Sequence, residues 1–332
     1  MPNPSLNRAC AAAVAAALSC AWAGGAVAAP QPAASPPAAP VARGMWIEKV
    51  KDGLYLIRGP QDVGCMSGCR PDQKGDGVLH EPGTVLARVT REGVIMVDAK
   101  FAPNAPQILA LLRTVTDQPV KYLINSHHHR DHSGGDDLIV AQGAELIQQR
   151  DLKALYDAGQ PKPRPGKLSF GDRFGFDLGG ARVEAYHFVP FGHTRGDTFV
   201  YFPDLKVVHM GDLVIDGMPH IDYPSGGSAM GFIDAIYQLL KLDFDVAIPG
   251  HGGPMTRDEV LRHVHRLETM NARTKAAIRR GVPVERIIPE LGLEDLGWAH
   301  TLSTATVLVT DIPTYYLEMS ALVAADKALA AP

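Results

Sequence analysis

The chain has 332 residues, long enough for one large domain or two small ones, and 46% of them are apolar, which supplies a sizeable core. Lysine and arginine number 32 against 36 aspartates and glutamates, a formal charge of −4, and neither sign gathers into a long block. That balance excludes an extended nucleic-acid surface.

The first residues do not read as part of a fold. Arg8 precedes an alanine-rich apolar run from Ala9 to Trp22, and Ala26-Val27-Ala28 follows. This is the layout of a secretory signal peptide over residues 1–28, cleaved after Ala28. Ser19, Gly24 and Gly25 interrupt the run, which is too short and too alanine-rich for the roughly 20 strongly apolar residues of a membrane span. The expectation is therefore a periplasmic or secreted protein with no membrane span after cleavage. Lipid anchoring at Cys20 is disfavoured, because Ala17-Leu18-Ser19 matches a lipoprotein box poorly. Residues 29–44, opening "APQPAASPPAAPVA", read as an extended Pro/Ala tether, and the folded domain is predicted over 45–332. With the leader gone, only Cys65 and Cys69 remain, in "GCMSGCRPDQKGDG". In an oxidising compartment a small disulfide is the expected state, since two thiols alone do not make a metal site.

Two hairpins come next: "WIEKV" and "LYLIR" around Asp52-Gly53, then "TVLARVT" and "VIMVDA" around Glu92-Gly93. Helical spacing over 105–115 is followed by the strands "KYLIN" and "AELIQQ". A second strand series follows: "RFGFDL", "ARVEAYHF", "TFVYF" and "KVVHM". Ser228 can cap a helix that places Phe232, Ile236, Leu239 and Leu240 on one face, and "DVAIPG" is a last strand. Thr256 and Glu259 form a capping box that opens a long helix ending at Gly281, and Pro313 opens a final helix over 313–329. Strands followed by helix occur twice, which points to an α/β domain of two similar halves packed face to face.

Chemistry concentrates in "INSHHHRDHSGG", where four of the thirteen histidines and an aspartate fall between positions 127 and 132. The stretch leaves a strand and enters a helix, and side chains converge on sites at such loops. His127 and His129 project the same way from extended backbone, and Asp131 and His132 turn toward a neighbouring point as the helix begins. Three later fragments repeat the strand-then-loop setting: "VPFGHTRGD" offers His193, "VVHMGDLV" offers Asp212 and "VAIPGHGG" offers His251. Each is flanked by glycine, which lets backbone crowd closely around a metal. Imidazole and carboxylate donors suit zinc, iron or manganese, with zinc the commonest for such a mixture.

The order H-x-H-x-D-H, a distant His, an Asp after a strand, then a His in a Gly-His-Gly turn resembles the metallo-β-lactamase-fold hydrolases over roughly residues 45 to 275. The resemblance implies a four-layer αββα sandwich with a dinuclear metal site, two zinc ions in the usual case, at the edge of its sheets. It implies that His127, His129 and His193 hold one ion, Asp131, His132 and His251 the other, and that Asp212 bridges them. The implied activity is metal-assisted hydrolysis, by bound hydroxide, of a small-molecule ester, lactone, thioester or amide, with Asp131 also receiving a proton. In the loop after Asp212, Tyr223 is a candidate donor to the developing oxyanion and His220 a candidate lining residue, the alternative being that both only pack the loop. Arg195 reaches either an anionic substrate or solvent. His128 is expected to face away from the metals, His187 and His209 to lie in the core, and His263, His265 and His300 to serve packing or solvation.

Within that family, an aspartate at the bridging position favours the lactonase, glyoxalase II and general hydrolase branches over enzymes that destroy β-lactams, which usually carry Cys or Ser there. Export and "HFVPFGHT" resemble a periplasmic β-lactamase branch, so that activity stays as an alternative, as does a mononuclear iron persulfide dioxygenase. Glyoxalase II is disfavoured, because no cationic cluster for glutathione is evident in the linear sequence after residue 250.

Overall fold

A computed structural model describes residues 44–59, 83–152, 155, 166–215, 217–298 and 311–330. The leader, the tether, the cysteine loop with Cys65 and Cys69, and His300 lie outside the described residues.

The strands alternate between two destinations. In β4 (Gly93–Val97), Val94 and Met96 pack outward with Ile108, Leu111 and Leu112 of helix α1 (Ala105–Leu112), while Ile95 and Val97 face the opposite way. β4 is buried at every position because it is covered on both faces. It lies mid-sheet in the order β1 (Trp46–Lys51), β2 (Leu54–Arg58), β3 (Val85–Thr90), β4, β5 (Val120–Ile124), β6 (Glu145–Gln149) and β7 (Leu168–Phe170). β1 to β4 are joined by antiparallel pairings and β4 to β7 by parallel ones.

The second sheet runs β13 (Met255–Thr256), β12 (Val246–Ile248), β11 (Val207–His209), β10 (Phe199–Phe202), β9 (Ala181–Tyr186) and β8 (Arg173–Leu178). In β10, Val200 and Phe202 meet Ile95, Val97 and Ile124 of the first sheet in a shared inner core. Phe199 and Tyr201 face outward instead. There they meet a helical layer formed by α4 (Ala229–Leu239), α5 (Arg257–Arg279) and α7 (Ile312–Leu329). The first sheet carries α1 and α3 (Asp136–Ala141) on its outer face. The four layers are helix, sheet, sheet and helix, the sandwich expected.

Local signals hold where they were strongest. Ser228 caps α4 by accepting from Gly231 N, and Thr256 with Glu259 forms the full capping box of α5. β7 and β13 were not foreseen, since segments of three and two residues owe their extended form to the neighbouring strand. Among the described residues no helix is long and apolar enough to cross a membrane.

Candidate metal centre

Four parallel-running strands end on one rim. Asp98 follows β4, the histidine-rich turn follows β5, Asp212 follows β11 and His251 follows β12. His193 arrives from the loop between β9 and β10. His129 keeps an extended backbone (φ −61°, ψ 146°) and the helix α2 (Arg130–Ser133) starts behind it, so His127 and His129 project from strand-like backbone and Asp131 and His132 from the first helical turn.

The seven expected donors meet. Ligand atoms of His127, His129, His193 and Asp212 lie within 4.8 Å of one another, and so do those of Asp131, His132 and His251. Asp212 stands between the two sets: its Oδ2 is 3.8 Å from His127 Nε2, 3.7 Å from His193 Nε2 and 3.2 Å from His251 Nε2, and its Oδ1 is 3.1 Å from His132 Nε2. On the far side, His251 Nε2 is 3.3 Å from Asp131 Oδ2.

Hydrogen bonds on the outer ring atoms decide which nitrogens face inward with a lone pair. Ser126 Oγ donates to Asp98 Oδ2 at 2.7 Å, so the 3.0 Å contact between Ser126 Oγ and His127 has Nδ1 as donor, leaving Nε2 as the acceptor atom. His193 Nδ1 donates to the His220 carbonyl (2.7 Å), His129 Nε2 to Asp222 Oδ2 (2.9 Å) and His132 Nδ1 to Asp98 Oδ2 (2.8 Å). His193 Nε2 and His129 Nδ1, the ring atoms left facing inward, lie 3.0 Å apart. A cation placed between the rings would engage both nitrogens. The inward atoms His127 Nε2 and both oxygens of Asp212 are buried without a hydrogen-bond partner, a costly state for polar groups that a metal would relieve. The donor set fits divalent cations. His251 differs, because Gly83 N lies 3.2 Å from its Nδ1, while its Nε2 faces the two aspartates.

The cluster's electrostatics divide the same way. Burial, then repulsion from His132, holds His127 well below the usual imidazole range, and burial, then His129, takes His193 down to about 3. Burial also opposes charge on His132 and His251, but Asp212 and Asp131 overcome it, raising the first well above its usual range and the second to about 9. Cations taken up here displace protons, so uptake weakens in acid.

Glycine makes the crowding possible. A Cβ on Gly250 would meet Asp212 Oδ1 at 2.0 Å, and one on Gly211 (φ +54°) would meet Ser126 Cβ at 2.8 Å. Asp98 itself has φ +62°, an unusual backbone for a residue with a side chain.

The description "Metallo-beta-lactamase superfamily" matches residues 83–251, about half the chain and the whole donor array. The chain belongs to the metallo-beta-lactamase superfamily. Among curated relatives, it is 29% identical over 219 residues to a 2,4-dinitroanisole O-demethylase subunit alpha from a Nocardioides species, covering 63% of each chain. It is 33% identical over 140 residues to a hydroxyacylglutathione hydrolase from Acaryochloris marina, covering 41% of this chain and 46% of that one. The chain thus spans less than two thirds of the length of either relative. A metallo-beta-lactamase structure from Pontibacter korlensis superposes with a TM-score of 0.56 at 21% identity, covering 68% of this chain and 99% of that one, which establishes the shared fold.

Other residues of this superfamily member fall into place around the centre. The Tyr223 hydroxyl has a partner outside the donor array. It donates to Glu318 Oε2 (2.7 Å), and the same carboxylate accepts from Ser228 Oγ, Ala229 N and Met230 N at the start of α4. Tyr223 therefore ties its loop to α7. His220 supports His193 through its carbonyl, and its ring lies 5.5 Å from that of His193 and 3.2 Å from Asp311 Oδ2. His128 turns its Nε2 toward Ser225 Oγ (3.3 Å), away from Asp212. Arg195 is exposed and lies against Gly226. His209 is buried beside Thr84 Oγ1 (3.1 Å), and His187 Nδ1 donates to the Asp197 carbonyl. Two residues escaped notice in the sequence: Asp98 and Asp222, which orient His132 and His129. Asp197, which accepts from His193 N (2.8 Å) and Thr194 Oγ1 (2.7 Å), is a third and fixes the His193 turn.

Proposed function

We propose that the protein is an exported dinuclear zinc hydrolase acting on a carbonyl ester, lactone, thioester or amide of a small molecule. The observation that carries this reading is the position of Asp212, whose Oδ2 lies within 3.8 Å of His127, His193 and His251 and whose Oδ1 lies 3.1 Å from His132, so that one carboxylate reaches members of both donor sets. His127, His129 and His193 would hold one ion, Asp131, His132 and His251 the second, and Asp212 would serve both; iron or manganese suits the same donors. When bound, the cations supply Lewis acidity and water activated near neutral pH, with a pKa of roughly 7 against 15.7 in bulk. The chain's own residues do the positioning. Asp98, Asp222 and the His220 carbonyl set the tautomers of three imidazoles, and burial excludes competing water. Asp131 stands at the edge of the donor set beside His251 and is the proposed proton acceptor. Relatives named as hydrolases support a hydrolytic reaction, and the signal-like residues 1–28 support export.

The decisive experiment is metal analysis of the mature protein and of Asp212→Ala, together with turnover of lactone, thioester, ester and β-lactam panels. About two zinc ions per chain, with metal and turnover both lost in Asp212→Ala, are expected. A variant that retains both ions and full turnover overturns the bridging role. A single iron with oxygen consumption and no hydrolysis moves the protein to the persulfide dioxygenase class, and selective β-lactam turnover moves it to the lactamases.

A further inference from the structure

Next to the segments that carry Asp212 and His251 the structure holds a cavity of about 350 Å³ whose wall includes Ile215, Met255, Arg262, His263, Arg266 and Trp298. Two of these segments come straight from the centre: Ile215 lies three residues past Asp212 and bridges to His251, and Gly253 lies two residues past His251. α5 supplies the polar wall. Arg262 and Arg266 are one helical turn apart, and His263 lies between them in sequence.

The charge on this wall is positive and only partly compensated. Glu259 uses Oε2 to accept from Thr256 N and Oγ1, and its Oε1 is 3.9 Å from Arg262. Arg266 makes no ion pair among the described residues. His263 is 4% exposed, and its Nε2 is buried without a hydrogen-bond partner. The lining also includes the apolar Trp298, Ile215, Pro254 and Met255, and the Trp298 ring meets that of His263 at 5.8 Å. A cavity with cationic donors on one wall and an aromatic ring on another suits an anion carried on an apolar body.

We infer that this cavity binds the non-reacting, carboxylate-bearing apolar part of the substrate, with Arg266 and Arg262 receiving the carboxylate, His263 Nε2 as a further polar contact and Trp298 flanking the apolar part. The assignment rests on the proposed hydrolase reading for the word substrate, but the site itself is testable without turnover. Benzoate and benzamide have nearly the same shape and differ in charge, so their affinities for the full mature protein, measured by calorimetry, isolate the cationic wall. Benzoate is expected to bind about tenfold more tightly than benzamide, the size of one charge-assisted hydrogen bond. Arg266→Ala and the double variant Arg262→Ala/Arg266→Ala should lose that preference while their metal content stays that of the unaltered protein. Both arginines are exposed, so these variants keep the fold, which a thermal melt verifies. Equal binding of the two probes, or a preference that survives in the double variant, overturns the site. Benzoate preference without hydrolysis of any ester, lactone or thioester keeps the site and removes the hydrolase reading. Hydrolysis without benzoate preference does the reverse.

Discussion

Replacing Asp98 by asparagine tests whether the ring of carboxylates and hydroxyls around the cluster sets the tautomers of its histidines. Asp98 is fully buried and accepts three hydrogen bonds, from Ser126 N (2.7 Å), Ser126 Oγ (2.7 Å) and His132 Nδ1 (2.8 Å). In the variant, an amide NH2 takes the place of Oδ2, while the new carbonyl keeps the bond from Ser126 N. Ser126 can rotate its hydroxyl to accept, but His132 Nδ1–H then faces a donor. The ring escapes by moving its proton to Nε2, the atom that faces Asp212 and His251, and the lone pair available to a cation is lost. One charge-assisted hydrogen bond of about 1.5–3 kcal/mol is forfeited at the ion held by Asp131, His132 and His251. That equals a 10- to 100-fold loss of affinity, the usual size for an orienting partner of a metal-binding histidine. The other ion loses less, because Asp98 reaches His127 only through Ser126. Titration with zinc against a competing chelator resolves the two affinities, and a thermal melt of the metal-free proteins separates metal loss from unfolding. Equal affinities at both ions in Asp98→Asn and unaltered protein would refute the tautomer argument.

Gly250→Ala should abolish binding of at least one ion, because the added Cβ falls 2.0 Å from Asp212 Oδ1 and must displace it; metal content by mass spectrometry reads this directly. Tyr223→Phe should cost about 1.5–3 kcal/mol of stability, the size of one hydrogen bond to a carboxylate, and leave turnover within about twofold, since the hydroxyl serves Glu318. A hundredfold fall in kcat at unchanged stability would make it an oxyanion donor. His263 makes the fold sensitive to acid: burial, then Arg266, lowers its pKa to about 4 against 6.5 for the free side chain. Below pH 6.5 the unfolded chain takes a proton that the folded one refuses, so stability falls as pH drops toward 4. The loss is about 2 kcal/mol between pH 7 and pH 5. His263→Phe should remove that share of the decline in urea unfolding of the metal-free protein; an unchanged pH slope contradicts the assignment.

The seven donors were legible because each carries a mark that survives in linear sequence: a fixed spacing after a strand, or a glycine on either side that the close packing of Gly250 on Asp212 accounts for. The helix caps and hairpins were legible because their partners lie within a few residues. What stayed hidden depends on distant contacts. Asp98 in "MVDAK" and Asp222 in "HIDYP" look like ordinary loop aspartates until β4 and β5 are set side by side and the loop after Asp212 folds back over His129. The partner of Tyr223, Glu318, is hidden for the same reason, 95 positions away.

The cationic wall of α5 belongs with these. Arg262 and Arg266 are unremarkable in a helix that also carries Glu259 and Glu268, and the linear sequence shows mixed charge rather than a cluster. The capping box diverts Glu259 toward Thr256, and Glu268 accepts from Tyr237 on α4. Glu268 is thus engaged elsewhere and Glu259 stays on the cavity wall beside Arg262, so two arginines against one acid leave that wall net positive. The donor array, whose atoms are fixed by strand ends, could therefore be inferred before any coordinates. The character of the space beside it follows from how neighbouring acids are consumed, which is a property of the packed helices. If the cavity binds as proposed, variants of α5 should alter which molecules bind while leaving the metal affinity of His251 and Asp212 intact.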